Sequence, residues 1–376
     1  MEKGSYLGII TESKAQSVML KEEIMPLIDS SNAKEHSYPV YGRQFKSYRW
    51  YKPIIVFVLF IAVYLILGLA VCAAIAYIRL GGMPNFAELS TSNMFTNDYD
   101  EMELADAWQS AVGLSAVAVM IPSLWLVTKI VRDRPFSSYS SSRGGWSSKV
   151  FWKVFPVAFI CISIPIIVDE LVYKHNINNF QMKFTLASFA VVTLLGPLQC
   201  IAEEYVFRGL LMQTFGSWFR IPIVAVILES VLFAAMHPYD MMGKIGIVVT
   251  GVVFSLTAWM GRGIEASSAF HIANNMTIFY LQGMNLASIT EATTTHDFIL
   301  EVCTGVVFVI VIFIISRKTD WFSRIKKDDA AAWNARIDEK LARKEAKKTA
   351  KAEKIAAKNA KTGAHDESAP GKHFKQ

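Results

Sequence analysis

Two adjacent carboxylates and an arginine lie within an apolar stretch, in the segment Cys200-Ile-Ala-Glu-Glu-Tyr-Val-Phe-Arg208. On a helix, Glu204 and Arg208 share a face at the spacing of an ion pair. Glu203 is rotated about the helix axis by about 100° from Glu204, so Arg208 is not placed to form an ion pair with it. Ionisable groups cost about 2.5–3.5 kcal/mol each inside a membrane, so they need partners and mark function. We expect Arg208 to hold Glu204 and Glu203 to remain free to react.

Two histidines follow in apolar surroundings. Phe233-Ala-Ala-Met-His237 places an aromatic ring one helical turn from an imidazole, which the ring could orient. His271-Ile-Ala-Asn-Asn275 places a histidine and an asparagine on one helix face. A single histidine in a membrane helix is more often an interhelical hydrogen-bonding group than a catalyst. The same structural interpretation also applies to the glutamate–arginine pair and to the asparagine.

The predicted depths of these residues favour a shared site. Depth is counted here from the helix end assigned to the cytosol, at a rise of about 1.5 Å per residue. Glu203 then lies about 12 residues (~18 Å) into its helix, His237 about 15 residues (~22 Å) and His271 about 7 residues (~10 Å). Three unrelated structural residues would have no reason to converge on one depth. We therefore expect them to meet in one cavity.

The chemistry that such a set supports is hydrolysis. A carboxylate in a partly dry cavity can take a proton from water, and a histidine can hold that water or protonate a leaving amine. A second histidine with an asparagine amide can donate hydrogen bonds to a developing oxyanion. Glu203, His237, His271 and Asn275 supply one residue type for each role. No serine or cysteine lies beside a base in a way that favours a covalent route.

The elements that must position these residues are membrane helices. Residues are 53% apolar, and long uncharged stretches recur. The four cysteines have no metal-type spacing and predict no disulfide framework. The predicted fold is an all-α polytopic membrane protein with about eight transmembrane helices, at residues 53–78, 107–131, 150–173, 185–215, 221–236, 244–260, 265–282 and 298–315. Gly196-Pro197 is expected to break the fourth helix, and the Ser/Gly tract 137–145 is expected to be a flexible linker.

The charge pattern predicts domains and orientation. Residues 1–52 are interpreted as a soluble cytosolic leader, 53–316 as the membrane domain and 317–376 as a basic cytosolic tail, helical from Ala330 to Ala360. Basic residues flank alternate ends of the helices, whereas 79–106 and 291–297 are acidic. The positive-inside rule then places both termini in the cytosol, with the protein in the cell membrane.

The tail carries 16 Lys and Arg against 9 Asp and Glu from Lys318 onward, a net charge of +7. One interpretation is a solvated helix that satisfies the positive-inside rule. The alternative is attachment to anionic lipid, worth about 1 kcal/mol for each basic residue near the surface. Nucleic-acid binding is not expected, because no aromatic platform accompanies the charge.

The three motifs, in this order, resemble those of the CAAX-protease and bacteriocin-processing (Abi) family, which includes the Ras-converting CAAX endopeptidases. They are Glu-Glu-x-x-x-Arg at 203–208, Phe-x-x-x-His at 233–237 and His-x-x-x-Asn at 271–275, within a core of residues 185–282. The resemblance implies an intramembrane endopeptidase with a site open toward the cytosol or the lipid. It also implies that Glu203 and His237 activate water and that His271 and Asn275 stabilise the oxyanion. Glu204, Arg208 and Phe233 occupy supporting positions.

Two functions remain open under this resemblance. The first is a peptidase that acts on a membrane-associated peptide or protein. The alternative is a non-catalytic membrane protein, such as a bacteriocin self-immunity protein or a scaffold that regulates a membrane partner. A pure scaffold would not need Glu203 and His237 together, so the sequence favours the peptidase.

Members of this family are commonly labelled metalloproteases, which raises the question of zinc. Glu203, His237 and His271 could form a zinc site with water as the fourth ligand. The sequence lacks the His-Glu-x-x-His arrangement, and a zinc-bound Glu203 would leave only the ion-paired Glu204 as the base. Asn275 would then have no role. We favour a glutamate-dependent mechanism without a cofactor and keep zinc as the alternative.

Overall fold

A computed structural model describes residues 37–82, 104–287, 293–323 and 327–366, the last nine of these by backbone alone. The chain divides into two compact units, residues 1–329 and 330–376. The first unit contains α1 (Lys52–Leu80), α2 (Ala107–Val131), α3 (Ser148–Tyr173), α4 (Leu186–Phe219), α5 (Pro222–Ala235), α6 (Met241–Gly261), α7 (Glu265–Gly283) and α8 (Thr295–Lys318). The helix α9 (Asp329–Asp366), which lies in the second unit except for its first residue, covers the predicted tail helix.

Six of these helices are long and apolar enough to cross a membrane: α1, α2, α3, α4, α6 and α8. The protein is therefore an all-α, polytopic integral membrane protein, as predicted. Helix α5 is apolar but has only 14 residues, and α7 is not among the six. Each of the eight predicted spans coincides with a helix, while the crossing of the membrane by α5 and α7 stays a prediction.

Residues before the predicted domain boundary at residue 53 pack against the helices that follow it. Residues Tyr38–Gln44 form a 3₁₀ helix in which Tyr38 and Tyr41 are fully buried. A methyl group on Gly216 of α4 would overlap the carbonyl oxygen of Pro39, so this segment lies directly against that helix. The predicted leader thus contains a packed element at residues 38–45. Its first 36 residues lie outside the described part of the chain, as does most of the predicted acidic loop 79–106.

The expectation of a flexible Ser/Gly linker before α3 is wrong. Ser138, Ser140, Ser141 and Ser142 are buried, and the loop pairs with the connection between α6 and α7. The amide of Ile264 donates to the carbonyl of Ser140 at 2.8 Å. A loop in a membrane bundle must satisfy its backbone internally, and this tract does so by docking on protein.

Helix α4 is continuous through Pro197, so the predicted break at Gly196-Pro197 does not occur. Gly196 instead permits a close approach to α7, because a methyl group there would lie 2.5 Å from the sulfur of Met276. The irregularity comes later, where Tyr205–Met212 adopts π-helical geometry directly after the two glutamates. Such π-segments within α-helices occur frequently at functional sites.

Candidate active site

The predicted ion pair between Glu204 and Arg208 is present and fully buried. Arg208 Nη1 lies 3.1 Å from Glu204 Oε1, and neither side chain is exposed. Glu204 is the last residue before the π-helical segment that carries Arg208. The transition from α to π geometry therefore occurs at the motif itself.

A third carboxylate, Glu229 of α5, joins the pair and was missed in the sequence. Its Oε1 lies 3.4 Å from Arg208 Nε, and it accepts a hydrogen bond from Ser255. Arg208 also donates to the carbonyl of Gly251 at 3.3 Å. The signal was available, because a fully buried glutamate in an apolar helix needs a partner just as Glu204 does.

The guanidinium of Arg208 is enclosed by aromatic rings as well as carboxylates. It lies 4.5 Å from the ring centroid of Phe233 and 4.8 Å from that of Phe254. A weakly hydrated, delocalised cation suits such a site better than an ammonium group would. Arg208 thereby joins α4, α5 and α6 at one point.

His271 lies between the two motif glutamates. Its Nδ1 is 3.0 Å from Glu204 Oε1, and its Nε2 is 3.5 Å from Glu203 Oε2. The ring stacks on Phe254 at a centroid distance of 4.9 Å, and the residue is only 3% exposed. An ionised carboxylate only accepts hydrogen bonds, so Nδ1 carries the proton toward Glu204. Nε2 can then donate to an oxyanion only when the ring carries both protons, which qualifies the predicted role.

Glu203 is not matched by Arg208, as predicted, but it is not free. Its Oε1 accepts a hydrogen bond of 2.6 Å from the side-chain amide of Gln199, one turn earlier on α4. Its Oε2 faces His271. The Glu203 side chain is 13% exposed, whereas Glu204 is fully buried. Two neighbouring glutamates therefore have different surroundings, and only one is directly ion-paired with arginine.

His237 lies in the turn that follows α5 and is oriented by Phe233, as predicted. Its Nδ1 is 2.8 Å from the carbonyl oxygen of Phe233, and the two rings are 4.6 Å apart. A carbonyl can only accept, so Nδ1 is the protonated nitrogen and Nε2 is left as an acceptor. The turn thus presents one defined tautomer.

A cavity of about 340 Å³ brings the remaining motif residues together. Phe233, His237, His271, Asn274 and Asn275 line it. The Asn274 amide donates to the Asn275 side-chain oxygen at 3.1 Å, which leaves the NH₂ group of Asn275 as a donor. Glu203 does not line the cavity itself. It contacts the cavity-lining residue His271, with Glu203 Oε2 3.5 Å from His271 Nε2.

The donor set does not fit a zinc site in this geometry. Glu203 and His271 approach each other, but within the described residues no group of three or more His, Cys, Asp or Glu side chains could hold a metal ion. His271 also commits Nδ1 to Glu204. Metal independence of the reaction stays a prediction.

Comparison with known proteins agrees with the motif order. Residues 184–277 match the family model described as type II CAAX prenyl endopeptidase Rce1-like. Over these residues the chain is similar to the Rce1-like family. The Rce1-like segment extends from just before α4 into α7 and contains all three motifs. The resemblance drawn from the sequence is confirmed at the level of the family.

A relative in Bacillus subtilis strain 168, the uncharacterized protein YyaK, is 28% identical over 235 residues. The match covers 58% of this chain and 75% of that protein. No solved structure matches the chain. The similarity therefore extends beyond the Rce1-like segment but assigns no substrate.

Proposed function

We propose that this protein is an intramembrane endopeptidase that hydrolyses a peptide bond of a membrane-associated peptide or protein. The observation that carries the proposal is the position of His271 between Glu203 and Glu204, beside a cavity that His237 also lines. Buried carboxylates and imidazoles at such distances cost stability, so a purely structural role gives little reason for them. The endopeptidase named in the matched family's description has the corresponding chemistry.

In the proposed reaction, Glu203 is the general base. It takes a proton from water as the water oxygen attacks the peptide carbonyl carbon, and Gln199 holds the other carboxylate oxygen in place. His237 offers Nε2 to the same water, because Nδ1 is engaged by the Phe233 carbonyl. The carbon–nitrogen bond then breaks as Glu203 passes that proton to the leaving amine nitrogen, which restores the Glu203 carboxylate and gives a carboxylic acid and an amine. General acid–base steps of this kind contribute about 10²–10⁴-fold.

Asn275 is the proposed oxyanion donor. Its NH₂ group donates in any protonation state, and the residue lines the cavity beside His271. His271 joins Asn275 in this role when its ring carries both protons. Preorganised donors of this kind are worth about 10²–10³ in turnover number, so the Asn275→Ala variant should lose activity by this factor.

The proposal places the protein in the cell membrane with both termini in the cytosol. This orientation is supported by the basic residues beside α1, between α2 and α3, and after α8. The basic tail is proposed to lie at the inner surface, where anionic lipid is a candidate partner. Nucleic acid is not expected as a partner.

The experiment is quantitative analysis of membrane and secreted peptides from cells that carry the wild type or Glu203→Gln. Peptides that disappear with the variant would identify the product and establish catalysis. Glu301→Gln is a matched control, because it makes the same change at a carboxylate that lines the cavity but has no role in the proposed reaction. If no peptide depends on Glu203, the peptidase proposal fails and a non-catalytic immunity or scaffold function takes its place.

A further inference from the structure

The cavity beside the two histidines extends toward one end of the helix bundle. At that end it is lined by residues from the carboxyl end of α3, the amino end of α8 and the α5–α6 and α7–α8 connections: Glu170, Lys174, Tyr239, Ala287, Thr293 and Asp297. We call these six residues the mouth. Tyr239 is exposed, and Lys174 and Asp297 are about one-third exposed. Within the described residues, the site is therefore approached from this end.

The mouth is a fixed frame held by an ion network. Lys174 Nζ lies 2.8 Å from both Glu170 and Asp297, and 3.5 Å from Asp169. His296 lies 2.6 Å from Asp169. Burial lowers the pKa of Lys174, but hydrogen bonds to Asp297 and Glu170 outweigh burial and raise it above its usual range. The network ties α3 to α8, and Asp169 is buried within it.

The opposite end of the bundle is closed at the site. The Ser/Gly loop covers the first turn of α7, where Glu265, Ser267 and Ser268 are fully buried. Arg143 of the loop lies 2.6 Å from Glu265, whose other oxygen accepts a 2.8 Å hydrogen bond from the amide of Ser147. None of residues 137–147 lines the cavity. A peptide could reach His271 from this end only by displacing a buried ion pair.

Basic residues identify which end faces the cytosol. Thirteen Lys and Arg residues lie beside or within the terminal turns of the helices at the closed end: Arg43, Lys46, Arg49, Lys52, Lys129, Arg132, Arg134, Arg143, Lys149, Arg220, Arg262, Arg317 and Lys318. Four lie at the mouth end: Arg79, Lys174, Lys183 and Lys244. By the positive-inside rule, the closed end is cytosolic and the mouth faces outward.

We infer that the cavity takes its peptide from the outer face of the membrane. The substrate class is then an exported or external peptide, or the outward segment of a membrane protein, and not a lipidated carboxyl terminus presented in the cytosol. This inference rests on the proposed function for its chemistry. It differs from the cytosolic opening that the family resemblance implies.

The test uses two single cysteines and a membrane-impermeant polyethylene glycol maleimide. Ala287→Cys places a thiol at the mouth, and Lys149→Cys places one on an exposed residue at the other end. In both variants Cys161 and Cys303 are alanine, while the buried Cys72 and Cys200 are kept. Labelling is compared in intact cells and inverted vesicles, and Glu203-dependent product is measured before and after labelling.

The Ala287→Cys variant should be labelled in intact cells and then lose product to the level of Glu203→Gln. The Lys149→Cys variant should be labelled only in inverted vesicles and keep its product. Labelling of Ala287→Cys only in inverted vesicles would overturn the outward face, and labelling from outside without loss of product would overturn the mouth as the route. The side of the membrane from which Ala287→Cys is labelled can be read without any enzymatic turnover. Failure of the peptidase proposal would instead appear as the absence of Glu203-dependent product in the wild type. The two failures can therefore be told apart.

Discussion

The Nδ1 atom of His271 lies 3.0 Å from the carboxylate of Glu204, which is itself paired with Arg208. Glu204 therefore holds the ring that faces Glu203, and acts on the site through it. Glu229 shares Arg208 with Glu204, so two carboxylates depend directly on a single guanidinium, and His271 depends on it through Glu204. The supporting part of the site is a buried network rather than a single ion pair.

Arg208 should contribute more to stability than either of its carboxylate partners. Arg208→Met leaves Glu204 and Glu229 buried without a cation, at a cost of about 3–5 kcal/mol. Glu204→Gln or Glu229→Gln should cost less, because Arg208 keeps one carboxylate in each case. Thermal unfolding of the purified variants in detergent would measure this order. Equal losses for all three variants would contradict the shared network.

Gln199 should affect turnover more than stability. Gln199→Met keeps the size of the side chain but removes the amide that donates to Glu203 at 2.6 Å. We expect about a tenfold loss of activity, since a net hydrogen bond contributes about 0.5–1.5 kcal/mol. The melting temperature should change little, because Gln199 lies outside the Arg208 network. Unchanged turnover would show that Glu203 does not need this orientation.

His237 should be needed for activity and not for folding. It lies in the turn after α5 and is only partly buried, so His237→Ala removes few contacts. A loss of about 10²-fold or more in turnover is expected for a residue in acid–base chemistry. Product formation and unfolding temperature should be measured on the same preparation. A variant that keeps half of the wild-type rate would remove His237 from the mechanism.

Gly209 should be required for the docking of the Ser/Gly loop. A methyl group there would lie 2.7 Å from the carbonyl oxygen of Tyr139, so Gly209→Ala must push the loop away, at a cost of about 1–3 kcal/mol. Gly68→Ala in α1 is the control, since its methyl group meets only Val119 at 4.0 Å. The control should be neutral or slightly stabilising in the same unfolding assay. Equal behaviour of the two variants would argue against tight docking.

The sequence predicts the helices and the motif contacts for physical reasons that are local. Apolar length determines where helices can cross, and the four-residue spacing of Glu204 and Arg208 determines that they meet. The contact of Gln199 with Glu203 has the same four-residue spacing and was overlooked. The contact of Glu229 with Arg208 depends on how α4 and α5 pack, which local spacing does not give. The buried Ser/Gly loop was missed for a similar reason, because its composition is typical of a linker while its partners lie on α7.

Metal dependence can be tested on the purified protein. Among the described residues no third ligand joins Glu203 and His271 in a group that could hold a metal ion, so elemental analysis should find far less than one zinc per chain. Activity should survive prolonged chelation followed by desalting. Stoichiometric zinc, with activity lost on chelation and restored by zinc alone, would require Glu203 to be reassigned as a ligand.

The central claim, that Glu203 is the base of a peptidase, is tested most directly in a reconstituted system. Wild type, Glu203→Gln and Glu203→Asp would be purified into lipid nanodiscs and given the peptide identified in cells, and cleavage would be followed by mass spectrometry. The wild type should cleave the peptide, Glu203→Asp should cleave it more slowly and Glu203→Gln should not cleave it, with unfolding temperatures unchanged. Cleavage by Glu203→Gln at the wild-type rate would contradict the claim.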